Sequence, residues 1–395
     1  MRCSRLFSGV SLLLLTHALL CQGPKALMLS GDYPITHDPS IAKEGNTYYV
    51  FATTSKSAEG QFPIRCSNDL LAWKLCGHVF DQIPTWIREV SPKTRELWAP
   101  DISLFNGKYH LYYAYSLFGT NTSGVALATN ETLDPKNPKY HWNDEGLVLK
   151  SVSSDDFNAI DPNIVLDTKG QPWLSYGSFW TGIKMRRINP ATGKLSTTDL
   201  TIYSLATRAV PDLPKPPKPN LPADWQAIEA PFIVHHGNFY YLFVSFDLCC
   251  RGTRSNYRTM VGRSRQVTGP YVDIDGNPMI KGGGTQLLAP NSRWIGPGGE
   301  SILLRPEGDA REDVDRTLEG GDEHPPEGEE RQQDRRGERQ IDEDPAELFL
   351  WGHSIFSEVC RISRTATPIK TIRKASTPIS IAMARPYWLN RKAVL

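Results

Sequence analysis

Three acidic residues stand just before prolines that begin short apolar segments of the chain. They are Asp38 in the stretch HDPS, Asp161 in AIDP and Glu229 in IEAP. A single carboxylate in such a place often only caps a turn, because its oxygens accept backbone N–H bonds. Three carboxylates at the same point of a structural repeat would instead face one cavity. A protonated carboxyl group beside an ionised one would then supply a general acid and a general base.

An acid and a base on opposite sides of a bound sugar are the usual arrangement for hydrolysis of a glycosidic bond. The longer side chain of Glu229 suits the acid, and Asp38 suits the base. Asp161 would favour the protonated acid by like-charge repulsion and hold it in place. Each candidate sugar contact also has an alternative interpretation as a core residue. These candidates are aromatic or carry an amide: Trp98, Phe118, Asn158, Phe179 and Trp180.

The segments that carry the acids repeat along the chain. Each has a proline, a short apolar strand, a glycine-containing turn and an aromatic-rich strand. They lie at 37–52, 98–114, 160–177 and 227–245, and a fifth start follows at 296–304. The repeat prolines are Pro39, Pro100, Pro162, Pro231 and Pro297. The pattern predicts an all-β fold, a five-bladed β-propeller with an atypical, incomplete fifth blade. Because the first strand of each blade lines the central channel, we expect the three acids to converge there.

The N-terminus has the pattern of an export signal. Arg2 and Arg5 precede the apolar run 10–20, which is too short to span a bilayer. We therefore predict a signal peptide at 1–28, a propeller domain at 29–304 and a secreted, extracellular protein. The formal net charge is +1, so we expect neither a nucleic-acid partner nor a membrane partner.

The C-terminal part does not continue the fifth repeat with an aromatic strand. Residues 305–345 are almost entirely charged residues, glycine and proline, which predicts a disordered segment. The atypical tail at 346–395 has only short apolar pieces. One hypothesis is a translation artefact, such as a missed intron or a frameshift. The other is a genuine insertion, after which residues 346–395 supply replacement strands.

Export also bears on the cysteines and on two glycosylation sequons. Cys66 and Cys76 flank a short loop and could pair in an oxidising compartment. The adjacent Cys249 and Cys250 are either two free thiols or a vicinal disulfide. Two sequons agree with export if the host glycosylates: Asn121-Thr122-Ser123 and Asn130-Glu131-Thr132.

Several short motifs occur in order along the chain. They are HDPS at 37–40, ELWAPDI at 96–102, NAIDP at 158–162, YGSFWTGI at 176–183, IEAPF at 228–232 and CCRG…VGRS between 249 and 264. Together they resemble glycoside hydrolase family 43 across roughly residues 30–304. The resemblance is strongest to the endo-1,5-α-L-arabinanases, because the SFWTGI and CCRG elements favour these over the family's β-xylosidases.

The resemblance implies a five-bladed propeller that cleaves internal α-1,5-L-arabinofuranosidic links of arabinan with inversion. Asp38 matches the general base, Glu229 the general acid, and Asp161 the residue that orients the acid and tunes its protonation. Inversion implies carboxyl groups about 6.5–9.5 Å apart, which leaves room for a water molecule. Arabinan is then the substrate partner, and we expect a monomer. The matched substrate-binding positions are Gly119, Asn158, Ala159, Ile160, Ser178, Phe179, Trp180, Trp98 and Phe118. The adjacent cysteines match a pair that lies near the cleft in similar enzymes.

One stretch departs from the family pattern. Many members carry a histidine near a metal ion in the channel, within Gly-Pro-Gly-His, whereas this chain has Gly296-Pro297-Gly298-Gly299-Glu300. Gly299 has no side-chain ligand, so we assign no metal ligand. No cofactor is expected to be required, and a structural calcium ion with unassigned ligands stays open.

Two other functions are compatible with the same residues. An exo-acting arabinofuranosidase or β-xylosidase would use the same propeller, with loops that block one end of the groove. A non-catalytic carbohydrate-binding propeller would bind without turnover, although the intact acid trio argues against it.

Overall fold

The computed structural model describes residues 28–55, 59–208, 227–291 and 295–304 in full, and the backbone of the strands at 25–26, 348–353 and 360–361. Most of the predicted signal peptide, the whole charged segment and most of the C-terminal tail lie outside the described residues. Within the described part of the chain, no helix is both long and apolar enough to cross a membrane.

Four antiparallel sheets follow one another along the chain, each built from four consecutive strands. Strand β1 (Lys25–Ala26) precedes them, and β2 (Ser30–Gly31) lies parallel to the outer edge of the first sheet. The first sheet contains β3 (Ser40–Glu44), β4 (Thr47–Phe51), β5 (Gln61–Ser67) and β6 (Ala72–Phe80). The second contains β7 (Trp98–Phe105), β8 (Lys108–Tyr115), β9 (Ser123–Asn130) and β10 (Asn143–Ser151). The third contains β11 (Asn163–Leu166), β12 (Pro172–Tyr176), β13 (Ile183–Arg187) and β14 (Tyr203–Ala206). The fourth contains β15 (Ile228–His236), β16 (Phe239–Phe246), β17 (Arg258–Ser264) and β18 (Thr285–Leu288).

Short turns with glycine join the first two strands of each of the first four predicted repeats. Between β7 and β8 the turn is Asn106-Gly107, and both residues have positive φ, at 48° and 73°. Positive φ at both positions is what a two-residue type I′ hairpin requires, and Asn-Gly adopts it at little cost. Helical structure is minor in the described chain: α1 (Thr85–Val90) and two 3₁₀ turns, Gly252–Arg254 and Met279–Lys281.

The fifth repeat forms a smaller sheet. Strand β19 (Gly298–Leu304) pairs antiparallel with β20 (Leu348–His353), and Leu304 lies opposite Leu348. Strand β21 (Cys360–Arg361) pairs with β1. The predicted all-β propeller is therefore confirmed, but the described residues contain four complete blades, whereas five were predicted. The second strand at the fifth position comes from the tail, as the hypothesis of replacement strands expects.

The first strands of the five repeats contact one another in a closed ring. Strands β3, β7, β11 and β15 each contact the next, and β19 contacts both β15 and β3. A polar side chain at one position of the repeat links neighbouring inner strands, because it accepts a hydrogen bond from the backbone N–H of an isoleucine on the next strand. The bonds are Ile102 to Ser40 Oγ (3.0 Å), Ile164 to Asp101 Oδ2 (2.9 Å), Ile233 to Asn163 Oδ1 (2.8 Å) and Ile41 to Ser301 Oγ (3.1 Å).

These hydrogen bonds also set the true phase of the repeat. Ser301 precedes Ile302 as Ser40 precedes Ile41, so Glu300 occupies the position of the repeat proline Pro39. The predicted fifth start at Pro297 is therefore out of phase. The physical reason is that, in four of the five repeats, the polar side chain one residue after the proline position accepts the hydrogen bond between strands, and the proline itself does not.

The core lies between neighbouring blades. Strand β9 is buried at every residue, because the second sheet packs between the first and the third. Ile302 of β19 packs with Val234 and Phe243 of the fourth sheet. Replacing a buried residue of this size with alanine usually costs about 2–5 kcal/mol. The fifth repeat is thus joined to the rest of the fold by apolar packing as well as by hydrogen bonds.

The possible Cys66–Cys76 pair forms a disulfide, and of the two alternatives for Cys249 and Cys250 the structure has the vicinal disulfide. Cys66 is bonded to Cys76, with Cα atoms 6.0 Å apart, and Cys249 is bonded to Cys250. The asparagines of the two sequons are buried, which does not fit the expectation that they carry glycans. Asn121 donates to three backbone carbonyls and is 3% exposed, and Asn130 is 1% exposed. Neither side chain is open to a glycan in the folded protein.

Asp101 is a buried carboxylate in the ring of inner strands. It accepts hydrogen bonds from Asn163 Nδ2 (3.0 Å), the Ile164 N–H (2.9 Å) and Ser103 Oγ (3.2 Å). Burial nevertheless raises the pKa of Asp101 to about 6. The folded chain therefore holds this proton more tightly than the unfolded chain, whose Asp has a pKa of about 3.9. Stability from this group falls as pH rises from about 4 to about 6.

We expect Asp101 to make the wild type more stable at pH 5 than at pH 7 by about 1 kcal/mol. Urea unfolding at both pH values should show that Asp101→Asn lacks this increment. The control is Asp167→Asn. Burial opposes ionisation of Asp167, but hydrogen bonds from Trp173 and Gln171 outweigh it and lower its pKa. Its titration lies below this window, so the control should keep the wild-type increment. Equal increments in wild type and Asp101→Asn would contradict the assignment.

Candidate active site

The starts of the inner strands surround a cavity at the centre of the ring. Its lining includes four of the five repeat prolines, two predicted acids, the buried Asp101 and a fourth carboxylate from the fifth repeat. The lining residues are Asp38, Pro39, Ser40, Ala99, Pro100, Asp101, Asp161, Pro162, Ala230, Pro231, Phe232, Gly299 and Glu300. Glu229 directly precedes Ala230, whose N–H donates to Asp161 Oδ2 over 3.1 Å. The three predicted acids therefore meet at one place.

Glu229 does not share the repeat position of the two aspartates. The residues just before the proline position are Asp38, Ala99, Asp161, Ala230 and Gly299, with φ between 43° and 62°. Glu229 lies one residue earlier, so the prediction that all three acids are in phase is wrong for Glu229. The pairing of β15 with β16 is irregular between Glu229 and Phe232. A bulge of this kind re-aims a side chain, and here it accompanies the approach of Glu229 to Asp161.

Asp38 is held as a hydrogen-bond acceptor. Thr53 Oγ1 lies 2.6 Å from Asp38 Oδ2 and also accepts the Ala99 N–H over 2.7 Å. The Ala99 N–H occupies one of the two acceptor sites of Thr53 Oγ1, and the Thr53 hydroxyl donates its proton to Asp38. That bond favours an ionised Asp38, which is the state a general base needs. The Asp38 side chain is 23% exposed, so water can reach it.

Glu229 has different partners. Ser178 Oγ lies 2.8 Å from Glu229 Oε2, and Tyr257 OH lies 2.8 Å from Glu229 Oε1. Both partners are hydroxyl groups, which can donate to an ionised carboxylate or accept from a protonated one. This pair of contacts fixes both carboxyl oxygens and is compatible with either protonation state of Glu229.

Asp161 connects the other two acids electrostatically. Burial raises the pKa of Asp161 well above its ordinary value, and the charges of Glu229 and Asp38 raise it further. The Ala230 N–H acts in the opposite direction but is outweighed. Such groups titrate as a set, so the trio holds a proton at a pH where an isolated aspartate would be ionised. A site of this kind can keep an acid and a base side by side.

Several predicted substrate-binding residues border Glu229 and Asp161. The turn Ser178–Trp180 contacts the start of β15, because the Phe179 N–H donates to the Ile228 carbonyl over 2.8 Å. Asn158, Ala159 and Ile160 lead into Asp161 and are buried, at 3%, 0% and 9% exposure. Among the described residues, Asn158 Oδ1 and Trp180 Nε1 are buried polar atoms without a hydrogen-bond partner. Buried polar atoms normally find partners, and both of these atoms are closed to solvent.

The remaining predicted contacts lie farther along the face of the propeller. Trp98 is half-buried and stands beside Ala99, which contacts Thr53. Phe118 is 88% exposed, on the loop between β8 and β9, and Gly119 follows it with φ of 79°. No contact among the described residues brings Phe118 or Gly119 to the acids.

Sequence reasoning missed Thr53, Tyr257 and Glu300. Thr53 comes two residues after the aromatic strand β4, and Tyr257 follows the loop that contains the vicinal disulfide. Neither belongs to a repeated motif, so only the folded structure identifies them. The vicinal disulfide does border the site, because Cys250 Sγ lies 3.7 Å from His37 Nε2 and His37 precedes Asp38.

The fifth repeat contributes Gly299 and Glu300 to the lining of the cavity. Gly299 lines the cavity in the stretch where many family members carry histidine. In the part of the chain that the structure describes, no group of three or more His, Cys, Asp or Glu side chains is arranged to hold a metal ion. The neighbouring Glu300 is instead bound by protein hydroxyls, from Ser245 and Thr259, each at 3.2 Å.

Comparison with known proteins agrees with this site. The sequence profile of "Glycosyl hydrolases family 43" matches residues 29–311. An extracellular exo-α-(1→5)-L-arabinofuranosidase of Cellvibrio japonicus is 42% identical, over 72% of this chain and 79% of that protein. An extracellular endo-α-(1→5)-L-arabinanase of Bacillus subtilis is 39% identical, over 68% of this chain and 77% of that protein.

A solved structure agrees as well. The Cellvibrio cellulosa α-L-arabinanase complexed with arabinohexaose is 41% identical to this chain, with a TM-score of 0.62. The match covers 68% of this chain and 83% of that one. With the profile match over most of the chain and a trio of carboxylates at the axis, the chain belongs to glycosyl hydrolases family 43 and is a glycoside hydrolase.

Proposed function

We propose that the protein is a secreted arabinan hydrolase that cleaves internal α-1,5-L-arabinofuranosidic links with inversion. The observation that carries this proposal is the meeting of three carboxylates at the axis, where the charges of Glu229 and Asp38 both act on the buried Asp161. Thr53 donates to Asp38, and Ser178 and Tyr257 contact the two oxygens of Glu229. The relatives named above are extracellular enzymes that act on arabinan or its links. Their names support both the substrate class and secretion.

The mechanism follows from these roles. Asp38 takes a proton from a water molecule, and the water oxygen attacks the anomeric carbon from the face opposite the leaving group. Glu229 gives its proton to the glycosidic oxygen as the bond to the leaving sugar breaks. Inversion by this route needs the two carboxyl groups about 6.5–9.5 Å apart. Asp161 keeps the proton within the trio until Glu229 transfers it. Proton exchange with solvent then returns Asp38 to the ionised form and Glu229 to the protonated form.

The substrate groove is proposed to run over the face of the propeller that carries the acids. Exposed aromatic rings such as Phe118 suit stacking on sugar rings. Ser178 would border the bound sugar, since it contacts Glu229, and Asn158 and Trp180 would support this part of the groove. The arabinohexaose bound to the Cellvibrio cellulosa relative supports an extended substrate. We expect arabinan to be the sole macromolecular partner of a monomeric enzyme.

We further propose a five-bladed catalytic propeller at 29–304, preceded by a signal peptide at 1–28. The contacts of β19 with both β15 and β3 support closure at the fifth position. The pairing of Leu348–His353 with β19 supports the hypothesis that the tail supplies a strand. On this hypothesis, the charged segment 305–345 is an insertion within the fifth blade, and that blade extends beyond residue 304 to include Leu348–His353.

Exo-action is the second candidate, because the Cellvibrio japonicus relative carries an exo name. Product analysis on linear 1,5-arabinan distinguishes the two. An endo-enzyme should lower viscosity early and release arabino-oligosaccharides of several lengths, because it cuts at random positions. An exo-enzyme should release one short product from the start, with slow loss of viscosity.

Glu229→Ala is the control for this experiment and should release no product. One uniform product from the wild type would overturn endo-action and favour the exo reading. Binding of arabinan without any product, by a folded wild type, would overturn hydrolysis of arabinan and favour a carbohydrate-binding role.

A further inference from the structure

A chain of hydroxyl groups leads from Glu229 to a second buried carboxylate. Tyr257 OH is 2.8 Å from Glu229 Oε1, and its ring is 1% exposed. The Ser245 hydroxyl is also hydrogen-bonded to Tyr257 and is fully buried. Ser245 Oγ lies 3.2 Å from Glu300 Oε2. Glu300, which is 4% exposed, thus lies two hydroxyl groups away from the proposed acid.

The fifth repeat packs tightly on this chain of hydroxyls. The Gly299 N–H donates to Ser245 Oγ over 2.8 Å. A Cβ atom on Gly298 would lie 2.5 Å from the Tyr257 ring and 2.8 Å from Ser245 Oγ. Only glycine therefore lets β19 approach so closely. The backbone of β19 holds Ser245 in one orientation, and the Tyr257 ring is confined against β19.

Each hydroxyl has one proton, so the chain has two consistent arrangements. When Glu229 is protonated, it donates to Tyr257, Tyr257 donates to Ser245, and Ser245 donates to Glu300. When Glu229 is ionised, Tyr257 donates to Glu229 and Ser245 donates to Tyr257. Thr259 Oγ1, 3.2 Å from Glu300 Oε2, can then supply Glu300. Both arrangements keep the buried hydroxyl protons bonded, which avoids the cost of an unsatisfied buried donor.

We propose that Tyr257 and Ser245 form a relay that reverses its hydrogen bonds when Glu229 gains or loses its proton, which makes Tyr257 a positioning residue for the acid. This inference rests on the proposed function, since it takes Glu229 as the group that transfers a proton. It also gives the fifth repeat a role, because Glu300 and the Gly299 N–H orient Ser245.

Among the described residues, the charged groups that act on the relay are all carboxylates. Glu229 and Asp161 face Tyr257, and both act on its hydroxyl. Asp38 acts on Asp161 from the first blade. Glu300 faces Ser245 and Thr259 from β19. The adjacent Arg258 is paired with Asp247.

The test compares two variants that should move the titration of Glu229 in opposite directions. Tyr257→Phe removes the donor to ionised Glu229, so ionisation should need a pH higher by about one unit. Ser245→Ala leaves Tyr257 without an acceptor when Glu229 is protonated, so ionisation should occur at lower pH. A residue with only a structural role would not produce opposite shifts.

Two readouts are used on the full-length protein. The first is the alkaline limb of the kcat/KM profile on linear 1,5-arabinan. The second is carboxyl ¹³C NMR of protein labelled at glutamate, in which Glu229→Gln identifies the Glu229 signal. The NMR titration does not require activity, so failure of the proposed function on arabinan is distinguishable from failure of the relay. Tyr271→Phe is the matched control, because Tyr271 is equally buried and donates to the Val267 carbonyl.

The relay predicts an upward shift in Tyr257→Phe, a downward shift in Ser245→Ala and none in Tyr271→Phe. Unshifted titrations in folded Tyr257→Phe and Ser245→Ala, or shifts of both in the same direction, would overturn it. If Tyr257→Phe does not fold, Ser245→Ala decides: a downward shift supports the relay, and any other result overturns it.

Discussion

Replacing Glu229 with glutamine is expected to lower kcat on linear 1,5-arabinan by about 10²–10⁴-fold, the usual contribution of a general acid. Glutamine has nearly the same shape and can hydrogen-bond to the same two hydroxyls, from Ser178 and Tyr257. It has no proton to give to the leaving oxygen, so the loss should fall on kcat, with little change in KM. The measurement is release of reducing ends under saturating and limiting substrate.

The leaving group provides the internal control. In an arabino-oligosaccharide with a dinitrophenyl leaving group, that group departs without protonation. Glu229→Gln should therefore hydrolyse this substrate at a rate close to that of the wild type. Glu131→Gln is the matched variant, because Glu131 is an exposed carboxylate that pairs only with Lys139 among the described side chains; it should leave both activities unchanged. An equal loss on both substrates in Glu229→Gln would contradict the role as acid.

Replacing Asp38 with alanine is expected to lower kcat by about 10²–10⁴-fold on both substrates. The reason is that the attacking water loses its base whatever the leaving group is. The two substrates thus separate the two carboxylates: loss of the acid is substrate-dependent, and loss of the base is not. Thermal unfolding should show that the variant folds, since Thr53 can still accept the Ala99 N–H.

A small anion tests the position of Asp38. Azide needs no base, and alanine leaves space for it, so azide should restore turnover of the dinitrophenyl substrate by Asp38→Ala. The product should be an arabinosyl azide of inverted configuration, as seen by NMR. Asp81→Asn is the control, because Asp81 is 93% exposed and contacts His78. A glycosyl azide of retained configuration would contradict both the base and the inverting mechanism.

Much of the fold could be predicted from local sequence patterns. A proline, a short apolar strand, a turn such as Asn106-Gly107 and an aromatic strand are sufficient to predict each hairpin, because turn chemistry and side-chain alternation act over a few residues. The convergence of Asp38 and Asp161 could also be predicted, because both precede the proline at the same position of the repeat.

The phase of Glu229 could not be predicted in this way. Its approach to Asp161 accompanies an irregular pairing of β15 with β16. The same irregularity occurs between Trp98 and Asp101 and between Gly298 and Ser301, where no acid begins it, so the irregularity alone does not predict an acid. The phase of the fifth repeat failed for a related reason. The hydrogen bond from the Ile41 N–H to Ser301 Oγ joins the first and the fifth repeat, so only ring closure shows that Glu300 takes the proline position.

The sequence by itself determined the strands, their turns, the propeller class and the three acids that could do the chemistry. These depend on backbone preferences and on residue types, which are local properties. Only the tertiary structure decided which groups surround each acid: Thr53 on Asp38, and Ser178 and Tyr257 on Glu229. Those partners come from other strands and turns, and in the proposed mechanism Asp38 acts as the base and Glu229 as the acid within these surroundings.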